Sequence, residues 1–289
     1  MNNRVTGFLA ASLVLVSVST AFAAGTLHFV IMSPADPKKE ALKYEALSTY
    51  LRGVNPLLGD IKLRVAKNYP EAARLFAAGD IEGMFSGSFV ASVFIAKGLA
   101  KPIVRPLAAN GTSTYSTSIV AKEGAAPFAG IATFKGKRVA YCLLASAGEV
   151  FTRSLLGPGE RPESVFTPIP VDSHQAALEA VKSGAADYAV VRNTVFVPGQ
   201  YPGLIVIGSD AGKHPDNTLI LSKPAFEMFS SMVSRVLLGL DGDTSEKAKA
   251  VKEAFGCTGF IRTTMIEFAP TFKLLGTARV DPKTFDFNF

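Results

Sequence analysis

At 289 residues the chain is long enough for two domains of about 100–200 residues or one large bilobal one, and with 48% apolar and 19% charged residues it can bury a sizeable core. Wholesale disorder and a fibrous repeat are thereby excluded. Thirty Lys+Arg against 24 Asp+Glu leave a formal charge of +6, which favours an anionic partner without the dense basic runs of a nucleic-acid binder. No nucleic acid is expected as a partner.

Arg4, an apolar run over 8–18 and Ala21-Phe22-Ala23 follow the charge, h-region and A-x-A order of a secretory signal peptide, with cleavage expected after Ala23. The run is shorter than the ~20 residues of a transmembrane helix. The mature chain is therefore expected to be exported to the periplasm. Next come an apolar strand over 27–31, ended by Ser33-Pro34, and a helix over 39–51 with Ala41, Tyr44, Leu47 and Leu51 on one face. A strand over 61–66, a short helix over 70–78, a strand over 81–85 and a helix over 89–97 continue the alternation. Such alternation makes an α/β domain with helices covering a largely parallel sheet. It restarts at 137–141, passes through a helix over 147–156 and runs on to a strand at 189–191. Two further helices are predicted at about 223–239 and 245–255.

Residues 68–82 lie over 173–187 at matched spacing: Asn68 with Ser173, Tyr69 with His174, Gly79 with Gly184, Glu82 with Asp187. Asn or Ser suits a helix N-cap and Gly the position after its end, so two related lobes are expected. Hydroxyl-rich and Pro-containing passages at 110–118 and 212–217 lead into extended segments and read as crossings between the lobes. Lobe one is assigned residues 24–112 and 218–289, lobe two 113–217. Two crossings allow closure about a ligand.

In open α/β sheets, ligands sit at the carboxyl ends of strands, where helix N-termini offer free N–H groups and partial positive charge to an oxyanion. Four strand-to-helix turns qualify: Tyr69, Ser86-Gly87-Ser88, Ser146-Ala147-Gly148 and Ser173-His174. Small residues there let an anion approach closely. Arg192, just past a strand end, can neutralise one. Structural roles compete: Ser146 with Glu149 fits a capping box, Ser88 fits an N-cap, Tyr69 fits packing, and Glu82 and Asp187 fit turns. His28, His174 and His214 lack metal-ligand spacing, and no G-x-S-x-G, G-x-G-x-x-G or Walker A motif occurs. The pattern suits holding a ligand, not catalysis, and implies no cofactor or metal. Cys142 and Cys257 lack C-x-x-C spacing and leave one bridge or two thiols open. Their assignment to different lobes predicts two thiols, because a bridge needs Cα atoms within about 7 Å.

The segments Tyr44-x-x-Leu47-x-x-Tyr50-Leu51, Asn68-Tyr69, Gly79-x-x-Glu82 followed by Phe85-Ser86-Gly87-Ser88-Phe89, Tyr115-x-Thr117-x-Ile119-Val120, Ser146-Ala147-Gly148 and His174 through Asp187 together resemble the phosphonate-binding (phosphate/phosphite/phosphonate) periplasmic solute-binding proteins of ABC transporters. The resemblance covers about residues 26 to 222. It implies a type II periplasmic-binding fold, two α/β lobes joined by two crossover segments. Between them, a small anionic ligand is held by Tyr, Ser/Thr and His groups and passed, by a monomer, to a transporter permease. Asp216 lies near where some members place an acid for a substrate amine. Two donors depart from the family pattern: Phe89 stands where a tyrosine is usual, and Ala145-Ser-Ala-Gly148 replaces a Ser-Thr-Ser-Gly-like turn. Ligand identity is therefore left open. A second reading, a periplasmic sensor signalling to a membrane kinase, fits the same sequence.

Overall fold

The computed structural model describes residues 25–32, 36–143, 146–197 and 199–288, with Ser146 described by its backbone alone. The expected signal segment, the Ser33-Pro34 stop and Ala145 lie outside the described residues. In β1 (Gly25–Met32), Leu27, Phe29 and Ile31 face one apolar cluster and Val30 the other, so the strand is covered on both sides and reads as a continuous apolar run. Asp36 caps α1 (Pro37–Val54) by accepting from Lys39 N–H at 3.0 Å; Tyr44, Leu47 and Leu51 of the predicted face are buried, while Ala41 at its start is exposed. β2 (Leu58–Ala66) and α2 (Tyr69–Ala78) follow. The expected caps are present: Asn68 accepts from Glu71 N–H at 2.9 Å, and Gly79 takes φ 78°. β3 (Gly83–Ser86), α3 (Ser88–Ala96) and β4 (Ala100–Leu107) carry the chain to the first crossover, β5 (Thr114–Tyr115).

The second lobe contains β6 (Thr117–Lys122), β7 (Arg138–Cys142), α4 (Phe151–Ser154), α5 (Pro162–Val165), β8 (Thr167–Val171), α6 (His174–Ser183), β9 (Tyr188–Arg192) and β10 (Leu204–Ser209). After the second crossover, β11 (His214–Pro215), the chain completes the first lobe with β12 (Thr218–Ser222), α7 (Lys223–Leu238), α8 (Glu246–Phe255) and β13 (Gly259–Arg262). A 3-10 turn (Met265–Phe268) and α9 (Ala269–Thr277) follow.

One sheet runs β13-β4-β12-β3-β1-β2 and the other β10-β6-β9-β7-β8. In each, three strands are parallel (β3-β1-β2 and β9-β7-β8) and the strand after a crossover joins antiparallel, β12 on β3 and β6 on β9. The internal correspondence is thus a correspondence of topology. It extends to the acids after the helices: Glu82 accepts from His28 N–H in β1, and Asp187 from Arg138 N–H in β7 at 2.8 Å. The two crossovers pair with each other, Tyr115 with His214 and Thr114 with Pro215.

Several expectations change. The helix expected over 147–156 is a π-helical turn (Ser146–Val150) running into the short α4. There the chain presses on β7, and a Cβ on Gly148 would meet Tyr141 Cβ at 2.8 Å and the Cys142 carbonyl oxygen at 3.0 Å. β4 and β8 escaped prediction because each carries two prolines, Pro102 and Pro106 in one, Pro168 and Pro170 in the other. Proline lacks the N–H that a ladder uses, which an edge strand such as β8 tolerates. Cys142 and Cys257 are both free and buried, on β7 and after α8, and burial pushes each thiol up to about 11. Among the described residues no helix is long and apolar enough to cross a membrane, and no cluster of His, Cys, Asp and Glu could hold a metal ion.

Candidate functional site

Four of the candidate segments sit where the topology puts them, at the carboxyl ends of strands: α2 after β2, α3 after β3, the π-helical turn after β7 and α6 after β8. Ser88 opens α3 and is fully buried, its Oγ 2.6 Å from the Tyr115 hydroxyl on the first crossover. Burial pushes the Tyr115 phenol up to about 12, so it stays neutral and able to donate. The Arg192 guanidinium, at the end of β9, lies 4.0 Å from the Tyr115 ring centroid, a cation–π contact. Arg192 is also hydrogen-bonded to Asp216, which follows the second crossover. Ser88, Tyr115, Arg192 and Asp216 therefore form one chain of contacts from lobe one through the hinge to lobe two.

His174 opens α6, after Ser173 has capped the helix by accepting from Ala176 N–H at 3.1 Å. Burial, then the nearby Arg192 charge, lower its imidazole to about 4, so it is neutral at pH 7. Its Nδ1 and the Nε of Arg192 are buried without a hydrogen-bond partner among the described residues. A buried, unmatched polar group costs roughly 1–3 kcal/mol, and two such atoms in one electrostatic neighbourhood mark a place where an incoming group can supply the missing bonds.

The structure brings Ser88, His174, Arg192 and Asp216 into this neighbourhood. Tyr69 and Ser86 make contacts of their own: the Tyr69 ring tilts over Phe287 at 5.5 Å, and Ser86 Oγ donates to the neighbouring Gly87 carbonyl at 3.2 Å. Ala147 is buried in the π-helical turn, and Gly148 is fixed by its approach to β7. The Ser146 side chain lies outside the described residues. Phe89 is buried edge-on to Phe285 at 5.8 Å.

The hinge is itself a site element that local patterns do not announce. In the sequence Tyr115 stands out only within the Tyr115-x-Thr117 motif, and His214 only as one of three histidines without metal-ligand spacing. His214 joins Asp210 through Nε2 at 2.9 Å and Thr271 through Nδ1 at 3.0 Å. Asp210 also accepts from Thr117 N–H at 3.0 Å, Thr117 Oγ1 at 2.8 Å and Gly212 N–H at 2.8 Å. Burial alone would raise the Asp210 carboxyl, but these bonds together hold it below the usual carboxylate range.

Residues 29–267 match the periplasmic substrate-binding proteins of phosphonate ABC transporters. The chain belongs to this family. Its members are substrate-binding components of transport and not enzymes, and membership places the protein in the periplasm. Solved structures share the fold. PhnD1 of Prochlorococcus marinus, solved in complex with methylphosphonate, is 14% identical, with 88% of this chain and 98% of that one covered at a TM-score of 0.69. A binding-protein component of a Pseudomonas aeruginosa phosphonate transporter is 13% identical over 88% and 86%, also at 0.69. An ancestral arginine-binding protein bound to arginine is 15% identical over 81% and 99%, at 0.54. No curated protein matches in sequence. The family match stops before α9, so this helix and the segment after it lie beyond the matched residues.

Proposed function

We propose that the cleft beside the hinge captures a small oxyanion of phosphonate, phosphite or phosphate type, and that the protein, a monomer cleaved after Ala23, hands it to a transporter permease. Lobe one is residues 24–112 and 218–289, lobe two 113–217. The observation that carries this reading is the pair of unpartnered buried nitrogens, Nδ1 of His174 and Nε of Arg192, beside the Ser88–Tyr115–Arg192–Asp216 chain. An oxyanion has the acceptors that these donors lack. Neutral His174 donates from one ring nitrogen, and Arg192, already sharing its charge with Asp216, limits the net positive charge of the site. A weakly charged ligand, or one whose ammonium faces Asp216, fits that balance. The methylphosphonate bound by PhnD1 supports the class.

The test is a thermal-shift screen of protein beginning at Ala24 against phosphate, phosphite, methylphosphonate, 2-aminoethylphosphonate, sulfate and acetate, followed by calorimetry on the best anion. Binding raises apparent stability by RT ln(1 + [L]/Kd). Replacing His174 by Ala is expected to weaken the affinity by roughly 1–3 kcal/mol, the cost of a lost hydrogen bond to a charged group. Unchanged affinity in His174→Ala and in Arg192→Ala would place the ligand elsewhere.

A further inference from the structure

On the far side of the six-stranded sheet from α2 and α3, a hollow of about 830 Å³ lies between α7, β4 and the passage from β13 into the 3-10 turn. Three cations line it, Lys101, Arg235 and Arg262, and no acidic residue does. Lys101 is accounted for, since its Nζ bonds Glu227 at 2.7 Å and lies 4.6 Å from the Phe226 ring centroid. Arg235 and Arg262 have no carboxylate partner among the described residues. Arg235 stands in the last turn of α7, where its charge offsets part of the carbonyl end of the helix. Arg262, at the end of β13, has no such compensation.

The floor is polar as well as apolar. Ser234 and Thr263 are nearly enclosed yet line the hollow. Thr263 Oγ1 accepts from the buried Arg105 guanidinium at 3.0 Å, which leaves the hydroxyl hydrogen of Thr263 to donate to another acceptor. Phe226, Ile103 and Leu238 supply an apolar wall. Unpaired guanidiniums, hydroxyl donors and an apolar wall make a complementary surface for a molecule with an anionic head and an apolar body. The volume falls in the range of about 300–1,000 Å³ typical of sites for organic ligands, well beyond what a bare oxyanion fills.

We infer that this hollow is a second binding site, separate from the interlobe cleft, for an organic carboxylate, sulfonate or phosphonate bearing an aromatic or branched apolar group. The anionic head is held between Arg235 and Arg262 and the apolar body lies against Phe226 and Leu238. The inference stands on the residues of this hollow alone and does not depend on the identity of the cleft ligand.

Naphthalene-2-sulfonate is a suitable probe, titrated by calorimetry into protein beginning at Ala24. Saturable binding is expected, weakened about tenfold or more in Arg235→Ala/Arg262→Ala, where two charge-assisted bonds, each typically worth more than a neutral one, are gone. Both arginines are exposed, so the double variant keeps its fold. Ser231→Trp, at an exposed lining position, obstructs the hollow without removing charge and is expected to weaken binding as well. His174→Ala, in the cleft, is expected to leave the titration unchanged. Absence of saturable binding, binding unaltered in the double arginine variant, or loss of binding in His174→Ala would each overturn the assignment.

Discussion

His174 is a neutral imidazole by enforcement: it opens a helix at a strand end, lies beside the Arg192 guanidinium, and has one ring nitrogen with no partner among the described residues. Its folded value of about 4 lies below the ordinary 6.5, so between those two pH values the unfolded chain takes up a proton that the folded chain refuses. Stability is therefore expected to fall as pH drops from 6.5 towards 4 and to level off below, by up to roughly 3 kcal/mol from this group. Urea unfolding at pH 7 and pH 4.5 checks it: His174→Gln should lose less stability than wild type over that interval, and equal losses would remove the histidine from the account. Ser88 and Tyr115 make a second residue-scale case. Their 2.6 Å contact is buried from both ends, so Ser88→Ala and Tyr115→Phe should each cost about 1–2 kcal/mol, and the double variant less than the sum. Additive losses in a double-mutant cycle would mean that the two hydroxyls do not depend on each other. Ser88, His174 and Arg192 were legible in the sequence because a helix start or a strand end is a local feature. Tyr115 is visible there only as part of the Tyr115-x-Thr117 motif and not as a site residue, because its importance comes from meeting Ser88 and Arg192 across separations of 27 and 77 residues, which no local pattern encodes.

The hinge is the element on which both lobes depend, and it is small: two strands of two residues each, β5 and β11, joined by two pairs. Such a ribbon is marginal by itself. Its support comes from Asp210, whose carboxylate gathers the start of β6, the turn at Gly212 and the ring of His214, while His214 reaches α9 through Thr271. Because these bonds hold Asp210 below its ordinary value, its contribution is fully present above about pH 4 and is lost as pH falls through the folded value. Asp210→Asn retains one acceptor oxygen of two, so a destabilisation of about 1–3 kcal/mol at pH 7 is expected, together with a flatter loss of stability below pH 4. Denaturant midpoints at pH 7 and pH 3.5 decide it, an unchanged acid limb counting against the role. Elements announced by periodicity and caps, such as α1, α2 and α6, were readable in the sequence with nearly their observed ends. The strands β4 and β8 were hidden by their prolines, and the π-helical turn by the close approach of Gly148 to β7, which only the assembled sheet reveals.

At the scale of the whole molecule, the C-terminal segment joins what the hinge allows to move. It was expected to complete lobe one, yet α9 packs against α3 of that lobe and against the π-helical turn and α4 of the other, and Leu274 borders core clusters of both. Beyond it, Arg279, in the left-handed region at φ 59°, donates from both terminal nitrogens to the Leu156 carbonyl of lobe two, each at 3.1 Å. The chain then returns to lobe one, where Phe285 meets Phe89 and Phe287 meets Tyr69 and Phe94. Separating the lobes breaks the Arg279 bonds, so this contact favours the arrangement seen here over a more open one. A charged donor with two bonds to one carbonyl contributes about 1–1.5 kcal/mol, close to the 1.4 kcal/mol that shifts a two-state population tenfold. If the ligand is held by the closed form, Arg279→Ala should lower anion affinity by up to about tenfold and increase the radius of gyration of the ligand-free protein, with the radius of the saturated complex unchanged. Calorimetry paired with small-angle X-ray scattering reads both quantities. A variant that loses thermal stability but keeps wild-type affinity and ligand-free dimensions would show that the segment braces the fold without setting the balance between open and closed lobes.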